Sequence, residues 1–210
     1  MGTIDLSKVS GLSGKVGPLV FYVTKNGKQV FRNHVKPTDP GTPKQVAHRA
    51  KFGLANKALS PLNKAITRGH PGDPNAYRAM VGKAYREAIE GEYPDFTFNY
   101  SKIQVASGRL PLPGDIRMEY HREAREAAFT WNPLHPDGTR VGKGNDRVYV
   151  VSFNTALPLE VKTVQRGFRS AGQATVPLPR EWQPAATCFW LYFAAYDFRD
   201  HSNSLFFALG

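Results

Sequence analysis

Gly11-Leu12-Ser13-Gly14-Lys15-Val16-Gly17 is the stretch of this 210-residue chain that most suggests a phosphate-binding loop. Such a loop cradles phosphates with backbone N–H groups. It needs a glycine five residues before the Gly-Lys pair and Ser or Thr after the lysine. Val9 and Val16 stand at those places, and the glycine spacing misses the dinucleotide pattern too. The six histidines, His34, His48, His70, His121, His135 and His201, are scattered, with no pair at the i, i+4 spacing that puts two ligands on one helix face. Cys188 is the single cysteine, set in Thr-Cys-Phe-Trp-Leu-Tyr-Phe; it reads as a core thiol and can form no intramolecular disulfide. Glu119, Glu123 and Glu126 cluster with His121, but Arg117, Arg122 and Arg125 interleave them, which is the pattern of a solvated mixed-charge surface. Asp197 and Asp200 read as turn acids before His201, too few for a calcium loop. These residues predict no catalytic site, no metal and no cofactor: the chain is not expected to be an enzyme, and no small-molecule substrate is evident.

Charge is the stronger signal. Residues 8–68 hold twelve Lys and Arg against one acid, Asp39, a net +11 that equals the formal charge of the whole protein. The rest of the chain balances to zero, so the surplus makes a local field that selects partners. Lys15, Lys25, Lys28, Arg32, Lys44, Arg49, Lys51, Lys57 and Lys64 are the candidate residues for binding a polyanion or a protein partner.

The elements that must position these cations are a hairpin and a helix. Leu19–Val23 and Gln29–Asn33 are rich in β-branched and aromatic residues, and Asn26-Gly27 between them predicts a type I′ turn. Pro37, Pro40 and Pro43 make the next stretch extended. Thr42 as cap, Pro43 at the first helical position and Gln45 in a capping box then start a helix that runs to Arg68. Phe52, Ala55, Leu59, Leu62 and Ile66 form its buried stripe, and Pro61 should kink or restart it. A second helix is expected from Asp73-Pro74 to near Gly91, with Tyr77, Met80, Val81, Ala84, Ala88 and Ile89 inward. Phe96, Phe98 and Tyr100, then Ile103 and Val105, predict one strand bulged near Ser101 or two short ones.

Pro111, Pro113 and Gly114 mark a boundary, giving a basic hairpin-plus-helices region, 1–110, and a second domain, 111–210. Strands are predicted at Ala128–Asn132, Arg147–Asn154, Glu160–Arg166, Gln173–Leu178, Thr187–Tyr196 and Ser204–Leu209, separated by turns such as Asp137-Gly138 and Pro158. Short strands at regular spacing predict an antiparallel β-sandwich of immunoglobulin- or fibronectin-like pattern, without the paired cysteines of antibody domains. The fold class is therefore α+β. A composition 41% hydrophobic and 12% aromatic excludes disorder as the overall state. Met1 to Lys15 is too polar for a signal peptide, and the longest apolar run, Ala186 to Tyr196, is too short to span a bilayer. The expected address is cytoplasmic, or on a particle, or outside the cell by a non-classical route.

Several motifs together resemble a known family: Gly14-Lys15-Val16-Gly17, Gly27-Lys28-Gln29-Val30-Phe31-Arg32, Pro43-Lys44-Gln45, Arg49-Ala50-Lys51-Phe52 and Leu59-Ser60-Pro61-Leu62. The likeness continues through Tyr93-Pro94, Tyr100-Ser101-Lys102, Trp131, Asp146–Asn154, Arg169-Ser170-Ala171-Gly172, Leu178-Pro179 with Trp182, and Ser202-Asn203-Ser204. The chain is similar to an uncharacterised bacterial family known only as a domain of unknown function. That resemblance implies two parts, a hairpin-plus-helices region and a β-sandwich, with no established activity and no site residues to transfer. The chain departs from the family pattern in its long Leu159–Arg169 segment and aromatic-rich end.

Two readings follow. The first is a non-enzymatic structural or interaction protein, one subunit of a larger homo- or hetero-assembly such as a filament, a phage-like particle or a surface coat, associating with itself or with another protein. The second is a nucleic-acid-binding accessory protein that uses residues 8–68 without sequence preference.

Overall fold

The computed structural model describes residues 13–36, 41–134, 142–157 and 160–209. Gly11, Pro37, Pro40, His135, the Asp137-Gly138 turn and Pro158 lie outside the described residues. The protein is α+β and mostly strand, and it divides into two compact units, Met1–Thr42 and Pro43–Gly210.

The first unit holds an antiparallel sheet of three short strands, β1 (Gly14–Val16), β2 (Leu19–Val23) and β3 (Gln29–Asn33). Its turn differs from the expected type I′. Gly27 N–H donates to the Thr24 carbonyl and Thr24 N–H to the Lys28 carbonyl, both at 2.9 Å. Gly27 alone takes positive φ, at 73°, and Asn26 does not. This is a turn closed by a glycine bulge, which one left-handed residue suffices to make; type I′ needs two.

The second unit is layered. Helix α1 (Pro43–Leu59) passes through a 3₁₀ turn at Ser60–Leu62 into α2 (Asn63–Gly69). Pro61 lacks the N–H an uninterrupted α-helix would use there, which accounts for the break. Helix α3 (Ala76–Glu87) leads into a small ladder, β4 (Ile89–Glu90) with β5 (Thr97–Phe98). Of the one bulged strand or two short ones expected around Ser101, only β5 forms; Tyr100–Lys102 is a 3₁₀ turn, capped by Asn99 Oδ1 accepting from Ser101 N at 3.0 Å.

The remaining strands make two antiparallel sheets. One is ordered β10-β7-β6, from Gly114–His121 (β6), Glu126–Asn132 (β7) and Gln173–Pro177 (β10). The other is ordered β12-β11-β8-β9, from Arg147–Asn154 (β8), Val161–Phe168 (β9), Thr187–Ala194 (β11) and Leu205–Ala208 (β12). Strand β6 was not expected: Arg117, Glu119 and His121 look like a charged surface. They are the outward half of an alternation whose inward half is Ile116, Met118 and Tyr120.

The four-stranded sheet is covered on both faces. Val148, Val150, Phe189, Leu191 and Phe193 meet Phe129, Trp131, Ala174 and Val176 of the other sheet. Tyr149, Val151, Phe153, Cys188, Trp190, Tyr192 and Ala194, the alternate residues of the same strands, meet Ala55, Leu59, Leu62, Ile66, Met80, Val81 and Ala84 of the helices. Helices and sheet thus share a core that includes residues on both sides of position 110, and the chain divides into compact units between Thr42 and Pro43.

Candidate functional site

The hairpin sheet sorts its residues by pairing register. Lys15 pairs with Val20 and Val20 with Arg32, so the two cations share a face with Tyr22 and Val30. The opposite face carries Val16, Leu19, Phe21, Val23 and Phe31, with the Phe21 and Phe31 rings 6.0 Å apart. Lys25 and Lys28 lie at the turn. None of residues 13–36 is buried; Val16 is 61% and Phe31 47% exposed.

On α1 the candidate cations do not form one stripe. At 100° per residue, Lys44, His48 and Lys51 continue the face that Ala55 and Leu59 bury further along, whereas Lys57 projects from the opposite side. Lys44, Arg49 and Lys57 are exposed, and Arg49 Nε donates to the Gln45 carbonyl at 3.4 Å. Phe52, expected inside, is 50% exposed. It belongs to a cluster on Tyr85: the His48 ring is at 5.2 Å, the Phe52 ring at 6.5 Å and Lys51 Nζ at 5.0 Å from the Tyr85 ring centre. The core begins only at Ala55, so this turn of the helix has no sheet beneath it. Lys64, on α2, borders a separate cleft with Arg68, Val161 and Thr163.

Sequence reasoning missed a second place, at the helix-facing side of the four-stranded sheet. Gln165, Tyr149 and Tyr192 form one row across β9, β8 and β11, with the tyrosine rings stacked 5.3 Å apart at 13°. His201 lies at the end of that row, its ring 5.5 Å from Tyr192, and bridges to Ala194. Arg68 and Pro71, at the end of α2, complete a cleft of about 460 Å³ with Tyr149, Gln165, Phe198 and His201. Two glycines permit this closeness: a Cβ on Gly69 would collide with the Val105 carbonyl, and one on Gly108 with the His201 carbonyl. The segment is then stitched, Ser204 Oγ accepting from Val105 N at 3.0 Å and His201 O from Leu110 N at 3.0 Å.

Both buried groups there are held neutral. Burial pulls His201 below its ordinary value; His70 adds to that, while the Gly69 backbone and Asp200 oppose it. The Gly69 backbone favours the protonated ring, yet neither ring nitrogen closes a hydrogen bond. Burial pushes the Tyr192 phenol upward, with Tyr149 adding to this and Arg68 opposing it, and Tyr192 Oη also has no hydrogen-bond partner. The signal that could have found this site, alternation of Tyr149 and Tyr192 on facing strands, is indistinguishable in sequence from core packing.

Cys188 is buried, and burial pushes its thiol up to about 12, so it stays protonated at neutral pH. Among the described residues, no three His, Cys, Asp or Glu side chains gather as a metal site, and no helix is long and apolar enough to cross a membrane.

A family model described as a family of unknown function, DUF6266, matches residues 11–208. The chain belongs to the DUF6266 family. No curated protein matches it. One similar solved structure, titled "Myokine structure", is 9% identical and covers 48% of this DUF6266 chain and 97% of its own, with a TM-score of 0.33.

Proposed function

We propose that this DUF6266 protein is a non-enzymatic structural or interaction subunit that joins a larger assembly through the sheet formed by residues 14–33. One observation carries the reading: a three-stranded sheet in which no residue is buried, although one face is apolar and the other pairs cations with Tyr22. Three short strands become stable when their apolar face is covered, and contiguous exposed apolar surface marks interaction sites. Lys15 and Arg32 on the other face discourage random pairing and supply charge for a specific partner. A second copy of the chain or another protein subunit would fit, in a filament, a particle or a surface coat.

The same reading takes the seven strands among the described residues of 114–208 as an immunoglobulin- or fibronectin-like sandwich. Strand order supports this: β6, β7 and β10 in one sheet, β8, β9, β11 and β12 in the other. The constant-type immunoglobulin arrangement keeps its fourth strand in the first sheet, whereas β9 here joins β8, so the fibronectin-like form fits better.

A second reading, a nucleic-acid-binding accessory protein without sequence preference, is favoured by His48, Lys51, Phe52 and Tyr85, since exposed aromatics beside cations stack bases of single strands. Size-exclusion chromatography with light scattering, read at 260 and 280 nm at low and high salt, separates the two. A salt-resistant oligomer free of nucleic acid is expected. A monomer that carries nucleic acid at low salt and sheds it at high salt would favour the second reading. A clean monomer at high concentration in both salts would overturn self-association and leave another protein subunit as the partner.

A further inference from the structure

We propose that the cleft between the end of α2 and the four-stranded sheet binds a small oxyanion, a carboxylate or phosphate group, on Arg68, His201 and Tyr149. The argument starts from cost. His201 is 3% exposed and lines the cleft; the Gly69 backbone acts on its ring, yet neither ring nitrogen closes a well-formed hydrogen bond, and Tyr192 Oη, on the ring stacked against Tyr149, is buried without a partner. Buried polar atoms left unpaired lose their hydration without compensation, so their concentration beside one opening calls for a group that pairs them. The cleft also excludes the simplest internal solution. Tyr149 stacks flat on Tyr192, and the amide oxygen of Gln165 already accepts from Arg147 Nη1 at 3.2 Å.

Charge then chooses the class of ligand. Arg68 lines the opening, and Arg147 stands behind it with its guanidinium 4.5 Å from the Phe198 ring centre. His70, turned onto the Ile66 carbonyl at 2.8 Å, is the other basic group near His201. The acid nearby, Asp200, is engaged by Arg109 N at 3.0 Å and His201 N at 2.8 Å through the same carboxylate oxygen. A guanidinium at the mouth, with the Tyr149 phenol and the single N–H of the neutral His201 ring lining the cleft, matches an oxyanion, which accepts from all three. A cation would face Arg68 and find one committed carboxylate. An apolar ligand would leave the same donors unpaired.

The test uses the full chain with inorganic phosphate and, separately, acetate, followed by calorimetry and by the ring resonances of His201. Saturable binding below about 10 mM of either ion, with a shift confined to His201 and its neighbours, is expected; whichever binds tighter names the headgroup. Arg68→Ala should weaken binding by at least about tenfold. Lys44→Ala removes the same charge from α1 and should leave it unchanged, which separates the cleft from general attraction to a basic protein. Tyr149→Phe, which removes the phenol that lines the cleft, should also weaken binding. If neither ion moves the His201 resonances, or if Arg68→Ala binds as the parent chain does, the cleft holds only water and the assignment is wrong.

Discussion

Arg169 Nε donates to Asp146 Oδ2 at 3.0 Å, and both side chains are 1% exposed. The pair closes one end of the two-sheet core. Arg169 Nη2 reaches the Pro111 carbonyl at 2.8 Å, the guanidinium lies 4.5 Å from the Phe193 ring centre, and Trp131 Nε1 donates to the Arg169 carbonyl at 2.7 Å. Burial lowers the Arg169 pKa, and Asp146, by charge and hydrogen bond, restores part of it. Removing one partner of such a pair strands the other charge in the interior. Asp146→Ala should therefore cost about 3–5 kcal/mol in urea unfolding. A loss under about 1 kcal/mol would mean that water reaches Arg169.

The shared core predicts how the chain can be cut. A fragment of residues 111–210 would expose Tyr149, Val151, Phe153, Trp190 and Tyr192, which the helices cover, and would leave Trp190 Nε1 without the Ile103 carbonyl it meets at 2.9 Å. That fragment should aggregate or fail to give cooperative unfolding, whereas residues 43–210 should fold. Circular dichroism and thermal melts of the two fragments decide it. A well-folded 111–210 would support the boundary drawn from the prolines.

Acid stability should report on His201. Its folded value lies below the ordinary 6.5 because burial disfavours the charged ring. The unfolded chain therefore takes up a proton first as pH falls, and stability drops from about pH 6.5 down to the folded value, then levels off for this group. Above pH 6.5 the group contributes no slope. His201→Gln should flatten that part of the pH profile of Tm. Identical profiles for the two proteins would show that His201 does not titrate differently on folding.

For the hairpin, Phe31→Ser and Val23→Ser should weaken self-association with little effect on the melting of the 43–210 unit, since neither residue is buried. Light scattering across a concentration series measures the first effect and calorimetry the second. Unchanged association in the double variant would move the interface away from the apolar face of this sheet.

Much of the local structure was legible from sequence. Arg147–Asn154 reads as a strand end to end because its apolar run is short and bounded by Asn145 and Asn154-Thr155. Pro43 and Pro61 mark a helix start and a helix break because a missing N–H acts on its own turn. Where the reading missed, distance was the reason. Phe52 keeps the helical spacing of a core residue but lies before the helix reaches the sheet, which no period can show. The continuous apolar run Thr187–Ala194 fits a strand buried on both faces, but only tertiary packing decides that Trp190 faces helices and Phe189 faces the second sheet. The Arg68–His201 cleft belongs wholly to that second kind of information. Its parts lie in α2, β8, β9 and the loop before β12, and each alone reads as core or surface. Composition and pairing rules act within a few residues, and so determined the elements; burial is a property of neighbours distant in the chain, and only the folded layers settled which polar groups were left facing one another without a partner.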